Sequence, residues 1–303
     1  MSTSPAVPAA ADGRGERRAG LLCLVATSMM WGLNWPVMKF VVGETPPLTM
    51  RGAAGIGGAA LAFLAARAAG ERCAVPPGMA PRLALLALLN ISGWMGLVTV
   101  SLVWLPASEA AIVAYTMPIW SSLLAWPVLG ERPNLARTGG LLIGLLGCAV
   151  LVAGQALGGA SRGQGLGILC VLGGALSFAL GTVLSKRLPL LLPPVAGVAW
   201  QVLLGTAPLL VLGLLVERTE LGRVTALGWA GIGYNSAFVL CLSYITWFAA
   251  LRRLPASTAA IGTLLVPVLG VFSAALLLGE PLGLRQFAAL ALTLGGVAVA
   301  TRG

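Results

Sequence analysis

Runs of about twenty mostly apolar residues, separated by short polar or proline-rich gaps, cover nearly the whole chain. They fall at 20–40, 49–69, 81–104, 108–129, 136–154, 165–185, 194–216, 225–251, 257–279 and 285–301. A helix of that length crosses ~30 Å of hydrocarbon at ~1.5 Å per residue. The pattern predicts an all-α integral membrane protein with ten transmembrane helices. A segment rich in Ala, Pro, Gly and Arg, 1–19, precedes the first run and is expected to be disordered. Arg17 and Arg18 read there as the basic flank of a retained first span rather than as a targeting signal.

The chain repeats itself. Residues 105–131 read L-P-A-S-E-A-A-I-V-A-Y-T-M-P-I-W-S-S-L-L-A-W-P-V-L-G-E, and 254–280 read L-P-A-S-T-A-A-I-G-T-L-L-V-P-V-L-G-V-F-S-A-A-L-L-L-G-E. A shift of 149 superimposes them without a gap. At a shift of 147, Trp31-Gly32-x-Asn34-x(4)-Lys39 aligns more faintly with Phe178-Ala179-x-Gly181-x(4)-Lys186, and Pro47 with Pro194. Five-helix repeats at 20–154 and 155–303 follow. Five is odd, so the second repeat enters from the opposite side and the two are inverted, a recurring plan for alternating access. In each copy a serine at the N-cap position, Ser108 or Ser257, opens the helix. Pro118 and Pro267 then fall near mid-span, where a proline removes a backbone hydrogen bond and kinks the helix. Such paired interruptions mark a hinge and a binding site in transporters; a kink that serves packing alone is the plainer alternative.

Composition narrows the chemistry. Charged residues make up 9% and hydrophobic ones 58%, with a mean hydropathy of +0.95, against about 25% charged in soluble domains. The net charge of +10 is dispersed between apolar runs, not gathered into a nucleic-acid patch. There is no histidine, and Cys23, Cys73, Cys148, Cys170 and Cys241 are scattered without a C-x-x-C pair. Neither Lys39 nor Lys186 follows glycine in a Walker A loop. No metal, cofactor, ATP-hydrolysing module or intramembrane catalytic constellation is expected. With the N-terminus inside, thirteen of the 19 Lys and Arg residues lie on the cytoplasmic side and six outside. Both termini are therefore expected in the cytoplasm. The Arg-rich, nearly Lys-free composition points to a GC-rich bacterium and its inner membrane.

W-G-x-N-x(4)-K at 31–39, S-x-A-A-I-x-x-Y-T-x-P at 108–118, L-G-E-R at 129–132 and the second copy resemble the drug/metabolite transporter superfamily. Within it the chain is similar to the EamA-type ten-helix transporters, and among those to the YddG-type amino-acid exporters. The resemblance covers about residues 20–303. It implies a basket in which helices 1, 3, 4, 6, 8 and 9 surround a central cavity, with 5 and 10 peripheral. The second copy departs from the first at Thr258 for Glu109 and Leu264 for Tyr115.

The deep polar and aromatic residues are neutral: Asn34, Trp35, Asn90, Ser92, Trp94, Tyr115, Trp120, Ser177, Thr182, Tyr234, Asn235, Tyr244 and Thr263. Asn34, Trp35, Asn90, Trp94, Tyr115, Ser177, Tyr234, Asn235 and Tyr244 are the candidate substrate-binding residues, and Pro118 and Pro267 the candidate hinges. Interhelical hydrogen bonds and interfacial aromatic belts are the alternative for each of them. Glu109 either accepts a coupling proton or sits in a first helical turn that favours negative charge. Glu131 and Glu280 are read as structural helix ends. Lys39 pairs with Glu44 or Glu109 or reaches for the interface, and Arg51, at the start of helix 2, is placed similarly. No Asp or Glu falls at the centre of a span, which argues against tight proton coupling. Gly140, Gly144, Gly295 and Gly296 form small-residue faces that fit internal packing or a dimer seam, leaving monomer or weak homodimer open. A neutral, aromatic-walled cavity suits a zwitterion or small amphipathic molecule and suits a polyanion poorly. The expected function is a secondary carrier of small neutral metabolites, above all amino acids; a multidrug carrier of the same fold is the alternative.

Overall fold

A computed structural model describes residues 13–130, 134–157, 162–218, 220–254, 258 and 262–302. Every long element among them is a helix: α1 Gly13–Glu44, α2 Pro47–Ala68, α3 Ala80–Ser101, α4 Ala107–Leu129, α5 Leu135–Leu157, α6 Arg162–Arg187, α7 Pro194–Val216, α8 Ala226–Arg253, α9 Leu265–Leu278 and α10 Leu284–Arg302. Seven of these, α1–α4 and α6–α8, are long and apolar enough to cross a membrane; α5, α9 and α10 carry shorter apolar stretches. α1 begins at Gly13, several residues before the apolar run, and takes Glu16, Arg17 and Arg18 into its first turns. Prolines set the starts of α2 and α7: Pro47 and Pro194 stand at first helical positions, where the missing N–H costs nothing.

The helices pack as two exchanged sets. α1 lies against α8 and α9, and α6 lies against α3 and α4. α2 runs along α7, and α5 along α10. Small residues allow the close approaches. A Cβ on Gly55 of α2 would stand 2.3 Å from the Thr206 Cβ of α7, and one on Gly296 of α10 would stand 2.5 Å from the Gly140 carbonyl oxygen of α5. The Gly140/Gly144 face is thus occupied within the chain. The main core surrounds the first half of α4, where every residue of Ala107–Ala114 is buried. Leucines face outwards instead, with Leu215 78% and Leu276 84% exposed, the inverse of a soluble protein and the surface a lipid tail solvates.

Carboxylates of one half cap helices of the other. Glu71, after α2, accepts from the Val195 and Ala196 N–H groups at the start of α7, at 3.4 and 2.7 Å. Glu217, after α7, accepts from the Leu48 and Thr49 N–H groups and the Thr49 hydroxyl at the start of α2, at 3.0, 2.8 and 2.7 Å. Glu44 accepts from Thr225 N–H and Oγ1 at the start of α8. Glu280 accepts from the Ala107 and Ser108 N–H groups at 2.6 and 2.9 Å and from the Ser108 hydroxyl at 2.5 Å. Each carboxylate meets donors that no helical carbonyl can reach, at the positive end of the helix dipole. Ser108 is therefore not the cap the sequence pattern indicates: its side chain makes no capping bond, and Pro106 holds the N-cap position. The capping oxygen comes from Glu280 instead. Gly279 ends α9 at φ +67, a left-handed turn that glycine adopts without strain, and directs Glu280 back over α4. Ser257 and Glu131 lie outside the described residues.

Candidate functional site

The interior is organised by paired irregularities in α3, α8, α4 and α9. α3 widens into a π-helical stretch at Leu88–Gly96, and α8 does so at Asn235–Leu242. Their first residues lie 147 positions apart, the shift that relates the first parts of the repeats. π-Helical turns inside α-helices often fall at functional sites. α4 breaks at Tyr115 and Thr116, between Ala107–Ala114 and Met117–Leu129. Pro118 explains the break. It has no N–H for the Ala114 carbonyl, and its ring displaces the preceding turn. Thr116 spans the gap: its N–H and hydroxyl both donate to the Val113 carbonyl, at 3.1 and 2.7 Å, and the Trp120 indole donates to its Oγ1 at 3.1 Å. Leu264, the residue just before α9, is a turn residue three positions before Pro267, as Tyr115 lies three before Pro118.

The candidate residues gather in two groups. One lies between α1 and α8. The Trp31 indole donates to the Ser243 hydroxyl at 2.8 Å and stands edge-on to Tyr244, ring centroids 5.8 Å apart. The Tyr234 hydroxyl donates to the Met30 carbonyl at 2.9 Å. Asn34, one turn from both Trp31 and Met38, has a buried Oδ1 with no hydrogen-bond partner. Asn235 donates to the Gly231 carbonyl through Nδ2. The other group lies between α3, α6 and α7. Ser177 donates to the Leu89 carbonyl at 2.8 Å, and Trp94 lies tilted on Phe178 at 5.4 Å. Asn90 points a long 3.4 Å bond at Gln201, and its buried Oδ1 has no partner. Exchange of halves relates the groups: Trp31 corresponds to Phe178, and Asn34 to Gly181, the glycine facing Asn90. Trp35 belongs to neither group, because it turns to the other face of α1 and packs on Gly270 of α9. Tyr115 is buried at the α4 break.

Charged residues take places the sequence pattern does not show. Lys39 donates to the Leu102 carbonyl at 2.6 Å rather than pairing with Glu44 or Glu109. Glu109 makes a 2.8 Å ion pair with Arg285, its side chain 4% exposed. Arg51 does not reach an interface. It is 2% exposed and donates from Nε to Thr99 Oγ1 at 2.9 Å and from Nη1 to Asn235 Oδ1 at 3.1 Å, while Nη2 meets the Met38 sulfur. Among the described residues no carboxylate bonds this cation. An interior charge is the functional feature that the sequence pattern missed. The one signal available was an arginine inside, rather than before, an apolar run. Among the described residues no group of His, Cys, Asp and Glu could hold a metal.

The EamA-like transporter family matches this chain twice, at residues 18–153 and 165–302, one match per repeat. The chain is 31% identical over 271 residues to the uncharacterized transporter YvbV of Bacillus subtilis (strain 168), covering 89% of this chain and 88% of that protein. It is 28% identical over 295 residues to a protein of Salmonella typhimurium named as a probable amino-acid metabolite efflux pump, covering 93% and 94% of the two chains. A solved crystal structure shares the fold with a TM-score of 0.68 at 23% identity, covering 94% of this chain and 96% of that one. The paired breaks, the exchanged packing of the halves and the doubled match make this chain a multi-pass membrane transporter of the EamA-like family.

Proposed function

We propose that this transporter is a secondary carrier of small neutral metabolites, with amino acids as the main class, working as an exporter or facilitator by alternating access in a bacterial inner membrane. Ten helices cross the bilayer as inverted five-helix repeats, with both termini in the cytoplasm. The observation that carries the reading is the pairing of interruptions: a π stretch in α3 and α8, and a turn residue three positions before Pro118 within α4 and before Pro267 at the start of α9. Equivalent weak points in inverted halves let each half bend where the other stays closed. Beside them lie neutral acceptors without partners, Asn34 Oδ1 and Asn90 Oδ1. A buried amide left unpaired costs about 1–3 kcal/mol, and a substrate ammonium or N–H relieves that cost. Trp31, Tyr244, Trp94 and Phe178 supply aromatic wall for the substrate's side chain.

The carboxylates support a carrier without tight proton coupling. Glu109, the one nearest the breaks, is held by Arg285. The test is counterflow of labelled amino acids in proteoliposomes, with and without a pH gradient. Neutral amino acids are expected to exchange in both conditions without ATP. Movement of lipophilic cations but of no amino acid selects the multidrug reading. Flux that needs the gradient, and loses that need in Glu109→Gln, makes Glu109 the coupling site.

A further inference from the structure

We infer that Arg51 is the recognition point for a substrate carboxylate, so that the carried molecule is an amino acid or another small monocarboxylate. The inference deepens the proposed function and rests on its reading of the interior as the substrate path. A guanidinium has five N–H donors in a planar fork. Here Nε and Nη1 reach neutral oxygens, Thr99 Oγ1 and Asn235 Oδ1, and Nη2 faces a thioether, a weak acceptor. Among the described residues the charge itself meets no anion. Glu217, which caps the same helix, is occupied by Leu48 and Thr49; Glu109 is bonded by Arg285, Glu280 caps α4, and Glu44 holds Thr225, the residue that caps α8. A cation 2% exposed that bonds no carboxylate among the described residues is costly, since burying a charge without a partner costs several kcal/mol. Such a residue in a span is a functional site by default.

The repeat excludes an architectural need for it. The residue 147 positions on, in the equivalent turn of α7, is Val198, which is buried in the same way. The second half builds this helix, its proline start and its carboxylate cap without an arginine. The surroundings also fit a ligand. Tyr244 of α8, the helix that also carries Asn235, stands against Trp31. Asn34 holds its unpartnered Oδ1 one turn along α1 from Met38, which touches Arg51. A carboxylate on the fork and an ammonium on the Asn34 oxygen would place a zwitterion's two charges on opposite-natured groups of one lining. Bidentate Arg–carboxylate pairing adds direction as well as strength.

The experiment compares leucine with three relatives that each lack one feature: leucinamide, which has no carboxylate; isoamylamine, which has none either; and 4-methylpentanoate, which has no amine. Binding is read by calorimetry on purified wild type, Arg51→Gln and Arg51→Lys, and flux by proteoliposome counterflow. Wild type is expected to bind leucine and 4-methylpentanoate at least about tenfold better than the two carboxylate-free compounds. Arg51→Gln loses that preference and Arg51→Lys restores part of it. Arg51→Gln also melts no lower than wild type, because glutamine keeps polar contacts and has no charge to bury. A staple would behave otherwise: Arg51→Gln would melt lower and lose all ligands alike, which overturns the inference. A leucine preference over leucinamide that survives Arg51→Gln overturns it while the amino-acid reading stands. If 4-methylpentanoate binds through Arg51 and no amino acid does, the carboxylate site stands and the amino-acid reading falls. If no carboxylate binds, the inference falls.

Discussion

Truncating Glu280 to alanine tests whether one half of the chain holds the other together. Its carboxylate takes two backbone N–H groups and a hydroxyl at the start of α4, the helix whose first half is the centre of the core. Losing an N-cap costs about 0.5–2 kcal/mol. The charge at the helix dipole adds about 0.3–2 kcal/mol in a partly buried place. The two terms overlap, so Glu280→Ala is expected to cost about 2–3 kcal/mol. At ~2–4 °C per kcal/mol, that lowers the melting temperature by roughly 5–10 °C. Glu280→Gln keeps one acceptor oxygen but turns an NH2 towards the same donors, so it falls between wild type and alanine. The control is Glu220→Gln. Glu220 forms an exposed ion pair with Arg223 at 2.8 Å, worth at most about 1 kcal/mol. Melting of detergent-purified protein, followed by tryptophan fluorescence, gives the ranking. Glu280→Ala within 2 °C of wild type, or no lower than the Glu220 variant, would refute the argument that carboxylate caps join the halves.

Other outcomes follow from single residues. On a cysteine-free background, Arg223→Cys is expected to label from outside intact cells and Arg187→Cys only after permeabilisation; the reverse pattern inverts the topology. Pro118→Ala restores the hydrogen bond to the Ala114 carbonyl and straightens α4, so flux is expected to drop about tenfold or more while surface expression holds; unchanged kinetics in both Pro118→Ala and Pro267→Ala reduce the breaks to packing. Asn34→Leu removes the unpaired buried oxygen, so it is expected to melt no lower than wild type and to weaken amino-acid binding; a lower melting temperature with intact binding makes Asn34 structural. Tetraphenylphosphonium is expected not to be carried by wild type; counterflow that exchanges it while leucine stays put would refute the amino-acid reading.

The fold was legible where sequence and local physics coincide. Apolar length gave the helices, and proline gave the break at Tyr115–Thr116 and the turn before Pro267. What stayed hidden depends on partners far along the chain. Ser108 reads as a helix start, but the group that caps it is 172 residues away. The π stretches of α3 and α8 share no breaker signature: α3 holds Gly93 and Gly96 within its stretch, α8 holds neither glycine nor proline in its own, and Gly181 of α6 faces Asn90 from across the interface. Arg51 sits near the start of α2, where a snorkelling side chain is the ordinary outcome. Its burial follows from Thr99 and Asn235, 48 and 184 residues away, which close over it when α3 and α8 pack on α2.

That hidden arginine separates the two substrate readings on electrostatic grounds. The chain has 9 Asp and Glu against 19 Lys and Arg, and among the described carboxylates Glu44, Glu71, Glu217 and Glu280 are spent on helix starts and the buried Glu109 on Arg285. The interior therefore carries a positive charge, Arg51, that no described carboxylate bonds. At an effective dielectric near 20, two like unit charges about 8 Å apart repel by about 2 kcal/mol, and the site has no anion to offset it. A lipophilic cation gains from the aromatic walls of Trp31 and Tyr244 through cation–π attraction worth about 0.5–2 kcal/mol, which that repulsion cancels. A zwitterion escapes the conflict, because its carboxylate meets the guanidinium and its ammonium lies further off, beside neutral oxygens. A carrier selected for lipophilic cations would place its buried charge with the opposite sign.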